Sequence, residues 1–202
     1  MLVDMHVHTN YSPCSIINIS QLLNACRSIG IDGVCVTDHD TLSSKYDINN
    51  LKFDFDLFVV VGMEYTTKQG DFLIFGDIEN IPRGMNALEL LNFINKIDGI
   101  VIPAHPFRRS RPVDVNILSN FDIVEILNGR NTNSENDICK EWISKNGKKF
   151  KGIGGSDAHT INEVGNIVTR FDKNIYSLED LIRELKDNRY SAYQLCSIKS
   201  FT

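Results

Sequence analysis

Leu2-Val3-Asp4-Met5-His6-Val7-His8 opens the chain with an alternation of apolar and polar residues. The period of two expected of a β-strand places Asp4, His6 and His8 on one face and Val3, Met5 and Val7 on the other. Beyond it, Ile19, Leu22, Leu23, Cys26 and Ile29 recur at helical spacing and stop at Gly30, a residue suited to a left-handed C-cap. A strand followed by an amphipathic helix is the first of a series, and that series predicts an α/β fold built on a mainly parallel sheet.

Further strands are expected over Gly33 to Thr37, Leu57 to Glu64, Phe72 to Phe75, Ile100 to Ala104, Ile123 to Leu127 and Ile153 to Gly155. Asn86 is placed to cap a helix over Ala87 to Ile97, Ser177 and Asp180 form a capping-box-like start for Leu178 to Lys186, and Asp137 to Lys145 is a further helix with Gly147 just past its end. Ser43 to Lys52 and Arg108 to Val113 read as loops. No linker, internal repeat or low-complexity tract interrupts residues 1–202, so one domain is expected. Repeated βα units close into a barrel or stay open, and both place a site at the carboxyl ends of the strands.

Composition narrows the class. With 202 residues, 42% hydrophobic and 23% charged, the chain can bury about 70% of its unfolded surface without disulfides. The formal charge of −5 and pI near 5.5 oppose a mainly electrostatic binder of nucleic acid or anionic membrane. Five widely spaced cysteines, Cys14, Cys26, Cys35, Cys139 and Cys196, contain no C-x-x-C pair and fit a reducing cytoplasm. The N-terminus lacks a signal-peptide profile, and the apolar stretch Leu57 to Met63 is too short to span a bilayer.

All five histidines, His6, His8, His39, His105 and His159, fall in or just after strand candidates. Carboxylates accompany them: Asp38 and Asp40 flank His39, Glu64 ends a strand, and Asp157 precedes His159 by two. Imidazole mixed with carboxylate is a donor set for Zn²⁺, Mn²⁺ or Fe²⁺ and is too nitrogen-rich for Ca²⁺. A carboxylate such as Glu64 can bridge two ions about 3.5–4 Å apart.

The ordered strings D-M-H-V-H at Asp4 to His8, T-D-H-D at Thr37 to Asp40, G-M-E at Gly62 to Glu64, A-H-P-F at Ala104 to Phe107 and G-S-D-A-H at Gly155 to His159 resemble the polymerase and histidinol phosphatase (PHP) domain family. The resemblance covers nearly the whole chain. It implies a distorted (βα)7 barrel carrying two or three divalent ions and hydrolysing phosphate esters. Residue by residue it implies that His6, His8, Glu64 and Asp157 hold a first ion, Glu64 and His105 a second, and His39 and His159 a third, with Asp4 and Asp38 behind them as groups that fix imidazole tautomers or close strand ends.

Two places depart from the family pattern. The loop after the first strand reads Asn10-Tyr11-Ser12-Pro13-Cys14-Ser15, where relatives carry His or Asp, so Cys14 is either a thiolate ligand or a plain loop cysteine. The strand after G-M-E offers Asp71 where relatives often bring a histidine, and Asp71 is either a substitute ligand or a turn residue.

The chemistry expected is in-line attack by a metal-bound hydroxide on a phosphate ester, with Asp157 or His159 handling protons. No side-chain nucleophile motif and no P-loop are present. Arg108, Arg109 and Arg111 follow His105 and, with Arg130 after another strand, are candidates to bind phosphate. A small phosphorylated metabolite or nucleotide is the expected substrate, with no membrane or obligate protein partner. The competing readings are a 3'-5' exonuclease acting on short oligonucleotide ends, for which Tyr11, Tyr65 and Phe107 would be stacking residues, a C–N hydrolase on a similar barrel, and a non-catalytic metal-binding docking domain.

Overall fold

The computed structural model describes residues 1–51, 57–146, 150–187 and 189–195. Lys52, Gly147 and Cys196, used in the sequence reading, lie outside these ranges.

Strand β1 (Leu2–Val7) pairs in parallel with β2 (Gly33–Val36), with helix α1 (Ile19–Ile29) between them in sequence. The Asn18 side chain caps α1 by accepting from Gln21 N, and Gly30 ends it at φ 75°. Its buried Ile19, Leu22, Leu23 and Cys26 pack with Val7, Val34 and Val36. A short helix α2 (Ser44–Asn50) precedes β3 (Phe58–Val61), which extends the parallel sheet beyond β2. Then β4 (Met63–Thr67) and β5 (Gly70–Phe75) form an antiparallel hairpin. Helix α3 (Ala87–Lys96), opened by an Asn86–Glu89 capping box, leads to β6 (Ile100–Pro103), antiparallel to β5. Strands β7 (Ile123–Asn128) and β8 (Lys151–Gly155) pair in parallel with α4 (Asn133–Lys145) between them in sequence, and β9 (Ile167–Phe171), α5 (Leu178–Asp187) and β10 (Tyr190–Gln194) complete the fold. No helix among the described residues is long and apolar enough to cross a membrane.

The fold is mixed α/β, but its ladders among the described residues form three sheets, β10-β9-β1-β2-β3, β4-β5-β6 and β7-β8, that do not close into the expected distorted (βα)7 barrel. Two features prevent closure. β5 runs antiparallel to both neighbours and β9 antiparallel to β1. Further, β8 packs across β9 and β10 instead of laddering to them: the space beside Gly154 is taken by Ile167, the Val168 carbonyl and Ala192. The strand exits are nonetheless stitched together. Asp157 N donates to His6 O, His8 N to Ala158 O, and Glu64 N to Asp38 O, so the ends of β1, β2, β4 and β8 meet around one place.

Four expectations need correction. Leu57 to Glu64 is two strands, because the chain changes sheets at Gly62, where a Cβ would lie 2.5 Å from the Phe75 ring. Ser44–Asn50 is helical although polar; only Ser44 is buried, so no apolar period marks it. β9 and β10 were not expected; β10 is a largely exposed edge strand with no apolar face to read. Finally, the alternation in β1 is broken by a bulge: Asp4 pairs with Val34 and Val7 with Val36, so two residues, Met5 and His6, oppose Cys35. Val3 and Met5 therefore join one core cluster and Val7 another. Bulges re-aim side chains in this way beside functional sites.

Candidate metal centre

The five histidines converge at the joined strand exits. His6 and His8 come from β1 and its end, His39 follows β2, His105 follows β6 and His159 follows β8. All are buried except His39, whose side chain is 34% exposed. Glu64 on β4 stands among them: Oε2 lies 3.2 Å from His6 Nε2, 3.0 Å from His8 Nε2 and 3.2 Å from His39 Nδ1, while Oε1 lies 2.9 Å from His105 Nε2. Asp157 Oδ1 is 3.6 Å from His6 Nε2 and 3.3 Å from His8 Nε2. The β4–β5 register puts Asp71 opposite Thr66, one alternate position from Glu64 and on its face.

Three groups of ligand-type atoms result: His6, His8 and Asp157; Glu64, Asp71 and His105; and His8, His39 and His159. Hydrogen bonds fix how several imidazoles present themselves. His6 Nδ1 faces Glu125 Oε1 at 3.0 Å, and His159 Nδ1 faces the Asp157 carbonyl at 2.8 Å. His8 Nδ1 lies 3.2 Å from Ser12 Oγ, whose own proton goes to Asp38. Each therefore carries a proton on Nδ1, which leaves Nε2 as the nitrogen with a lone pair to give when the ring is neutral. With both rings neutral, His6 Nε2 and His8 Nε2 would face each other at 3.0 Å with a lone pair on each, an arrangement that protonation or a bound cation relieves. His105 Nδ1 is buried without a hydrogen-bond partner. This donor set fits a divalent cation of the imidazole-accepting kind.

Charge in the metal-free protein follows from the same contacts. Burial alone would push His6 toward its neutral form, but Asp157, Glu125 and Glu64 outweigh it and raise its pKa well above the ordinary value; His8 is raised likewise by Asp157 and Glu64. Burial works to raise the pKa of Glu64 and of Asp157, and His6 and its neighbours overcome it, so both carboxyls sit well below their usual range. Burial lowers His39 and lowers His159 to about 4. The depressed carboxyls contribute stability that is present above their unfolded pKa near 4 and lost as pH falls; raised His6 and His8 contribute stability present below about 6.5 and lost as pH rises through their folded values. Chelator-treated protein is thus expected to melt at falling temperature from pH 6.5 to 9, whereas metal-loaded protein, with a cation in place of the protons, is not. Thermal melts across that range check it; a rising Tm in the chelated protein would contradict the charge pattern.

The arginines divide. Arg108 is held by Asn131, Asn128 and Asp157, the last at 2.6 Å. Arg111 clasps Asp71 through Nε and Nη2. Arg109 and Arg130 are exposed, and Arg130 lines the mouth of a cavity of about 440 Å³ that also reaches His39, Glu64, Asp71, His105, Asp157 and His159. Cys14 lines the same mouth but is exposed, lies outside all three ligand groups, and has its thiol pushed up by partial burial. Asp4 touches no imidazole nitrogen: it accepts from the backbone of Ser156, Gly165 and His6, and burial raises it to about 6 against those bonds. Asp38 reaches His8 only through Ser12.

Sequence reading missed Ser12, Glu125 and Asn128. Glu125 had a signal, a charged residue inside the apolar run Ile123 to Leu127; Ser12 had none. Three of the four non-glycine residues with positive φ among the described residues, Asp40 (51°), His105 (31°) and Asp157 (53°), stand at this site, where such backbone strain is commonly held in place by surrounding contacts.

The sequence model of the PHP domain matches residues 4–102, and one described as PHP-associated matches 133–190. Two uncharacterized proteins of Methanocaldococcus jannaschii are each 30% identical, one over 117 residues (53% of this chain, 68% of the relative), the other over 193 (90% and 75%). Among solved structures, PsfC from Pseudomonas syringae superposes with a TM-score of 0.77 at 18% identity, covering 96% of this chain and 91% of PsfC. A candidate metal-dependent phosphoesterase of Bifidobacterium adolescentis gives 0.68 at 15%, with 98% of each chain covered. An amidohydrolase of Chromobacterium violaceum with bound sulfate gives 0.63 at 10%, covering 98% and 99%.

Proposed function

The chain belongs to the PHP domain family, and on that premise we propose that it is a metal-dependent phosphoesterase, one catalytic domain over residues 1–202, acting on a small phosphorylated metabolite or nucleotide in the cytoplasm. The observation that carries the reading is the position of Glu64, whose two carboxylate oxygens face the His6–His8–Asp157 group on one side and His105 on the other. Zinc, manganese or iron, if bound there, would supply hydroxide at neutral pH and offset charge growing on the phosphoryl oxygens.

The chain's own residues do the rest. Glu64 would serve both positions; His6, His8 and Asp157 would complete the first, and Asp71 and His105 the second. Two ions would be held in this reading. His8 belongs to two of the three groups, yet with Nδ1 committed to Ser12 it has one lone pair to give, so serving the first position leaves the third with His39 and His159 alone. Arg108 holds Asp157 in place through Nη2, and Arg130, exposed at the mouth, is the arginine best placed to meet a phosphate oxygen.

A monoester suits this mouth better than an oligonucleotide end. Tyr65 is buried and donates to Pro82 O, and Phe107 packs one way against Trp142, so of the three stacking residues the oligonucleotide reading needs, Tyr65 offers no face and only half-buried Tyr11 and Phe107 remain. The test is phosphate release from a panel of phosphomonoesters beside a phosphodiester and an N-acyl amino acid. Monoester hydrolysis that EDTA abolishes and Zn²⁺ or Mn²⁺ restores is expected. Cleavage confined to the diester or the amide would overturn the proposal.

A further inference from the structure

We propose that Glu125 is the positioning residue that sets the spacing between the two ions, an inference that rests on the two-ion reading above. Its carboxylate, 1% exposed on β7, holds one ligand of each position. Oε1 faces His6 Nδ1 at 3.0 Å, and Oε2 accepts from the backbone N–H of His105 at 2.7 Å and from Asn128 Nδ2 at 2.9 Å. Asn128 Nδ2 in turn lies 3.3 Å from Asp157 Oδ2, and its Oδ1 accepts from Arg108.

The bond to His105 falls at a seam in the fold. No ladder among the described residues joins β6 to β7, although the two strands pack side by side. A main-chain N–H at the end of β6 that a parallel neighbour would satisfy is instead satisfied by the Glu125 side chain. His105 sits there at φ 31°, outside the regions comfortable for a residue with a Cβ, and its imidazole reaches Glu64 from that conformation. On the other side Gly155 leaves the room Glu125 needs, since a Cβ there would lie 3.0 Å from Oε1 and 2.4 Å from His6 Cβ. One carboxylate thus fixes the tautomer of His6 and the backbone of His105.

Glu125→Gln separates these roles. The glutamine oxygen can still accept from one of the two N–H groups, but its amide NH₂ then points at the other, so His6 Nδ1–H or His105 N–H loses its acceptor. In titrations of the full chain with Co²⁺, followed by its visible absorption, wild type is expected to take two equivalents. The variant should take one with wild-type affinity and the second about 10–100-fold more weakly, the range for loss of a partner behind a ligand. Two equivalents at wild-type affinity would overturn the inference. Glu125→Asp keeps the charge but withdraws the carboxylate by one methylene, and serves if Gln does not fold. It should change the spin coupling between two bound Mn²⁺ ions in EPR, a readout that a merely structural role would leave alone; an unchanged coupling would overturn the inference. Wild type that binds no Co²⁺ overturns the two-ion reading as well as this one, whereas failure of the variants alone to differ leaves the two-ion reading standing.

Discussion

Glu64→Gln is expected to reduce phosphate release to about one thousandth or less of wild type, since removing Lewis-acid stabilisation worth several kcal/mol corresponds to a factor of ~10³ at 1.36 kcal/mol per decade. The substitution keeps the volume but replaces one of two oxygens by an amide nitrogen that cannot ligate. With Oε1 and Oε2 facing different groups, one ligand position is lost whichever way the amide turns. It also removes one of the buried negative charges that raise His6 and His8 in the metal-free protein. Metal content measured beside activity should fall with it. His39→Ala provides the contrast: His39 is partly exposed and belongs only to the third group, so a smaller loss is expected. Equal losses from the two variants would contradict the central place given to Glu64.

Gly155→Ala adds one methyl group and is expected to disable the site without touching a ligand. The added Cβ would stand 2.4 Å from His6 Cβ, 2.9 Å from His6 N and 3.0 Å from Glu125 Oε1. These contacts involve backbone and a buried carboxylate, so they are relieved only by moving β1 away from β8. Overpacking of this kind costs about 1–3 kcal/mol, roughly 2–12 °C in Tm for a chain of this size. The same shift moves His6 relative to Asp157, and metal should be lost from the first position before the protein unfolds. Differential scanning calorimetry with and without added metal checks both parts; a variant with wild-type Tm and full metal content would contradict the packing described here.

The parts of the molecule legible beforehand were those with a local signal. β1 fills the alternating stretch to within one residue, α1 ends at the glycine expected to end it, and each histidine stands in or just after a strand because apolar runs stop where the site begins. What escaped depends on partners distant in sequence. The bulge in β1 arises from how Met5 and His6 oppose Cys35, which a period-two reading of β1 alone has no means of registering. The open seams between sheets follow from antiparallel β5 and β9 and from glycines that let β8 lie across its neighbours. Ser12 acquires its role only because Asp38, 26 positions away, takes its proton and leaves its oxygen to His8. Of the two roles weighed for Asp4, fixing an imidazole or closing strand ends, the structure has the second: it accepts from the backbone of Ser156 and Gly165, partners more than 150 positions away.

The arrangement as a whole explains why an acidic chain with no nucleophile motif would need cations. Glu64, Asp71, Asp157 and Glu125 bring four carboxylates to one end of the strands, and only Asp71 and Asp157 have arginine partners, Arg111 and Arg108. Buried carboxylates in such number are costly unless paired with positive charge. Asp157, Glu125 and Glu64 favour the protonated forms of His6 and His8 in the metal-free protein, and divalent ions would take the place of that charge in the working one.

Elemental analysis of protein purified without chelator or added metal tests this most directly. The account predicts two moles of zinc, manganese or iron per mole of chain, falling to one or fewer in Glu64→Gln. Less than one mole in wild type, with none regained on dialysis against Zn²⁺ or Mn²⁺, would contradict it.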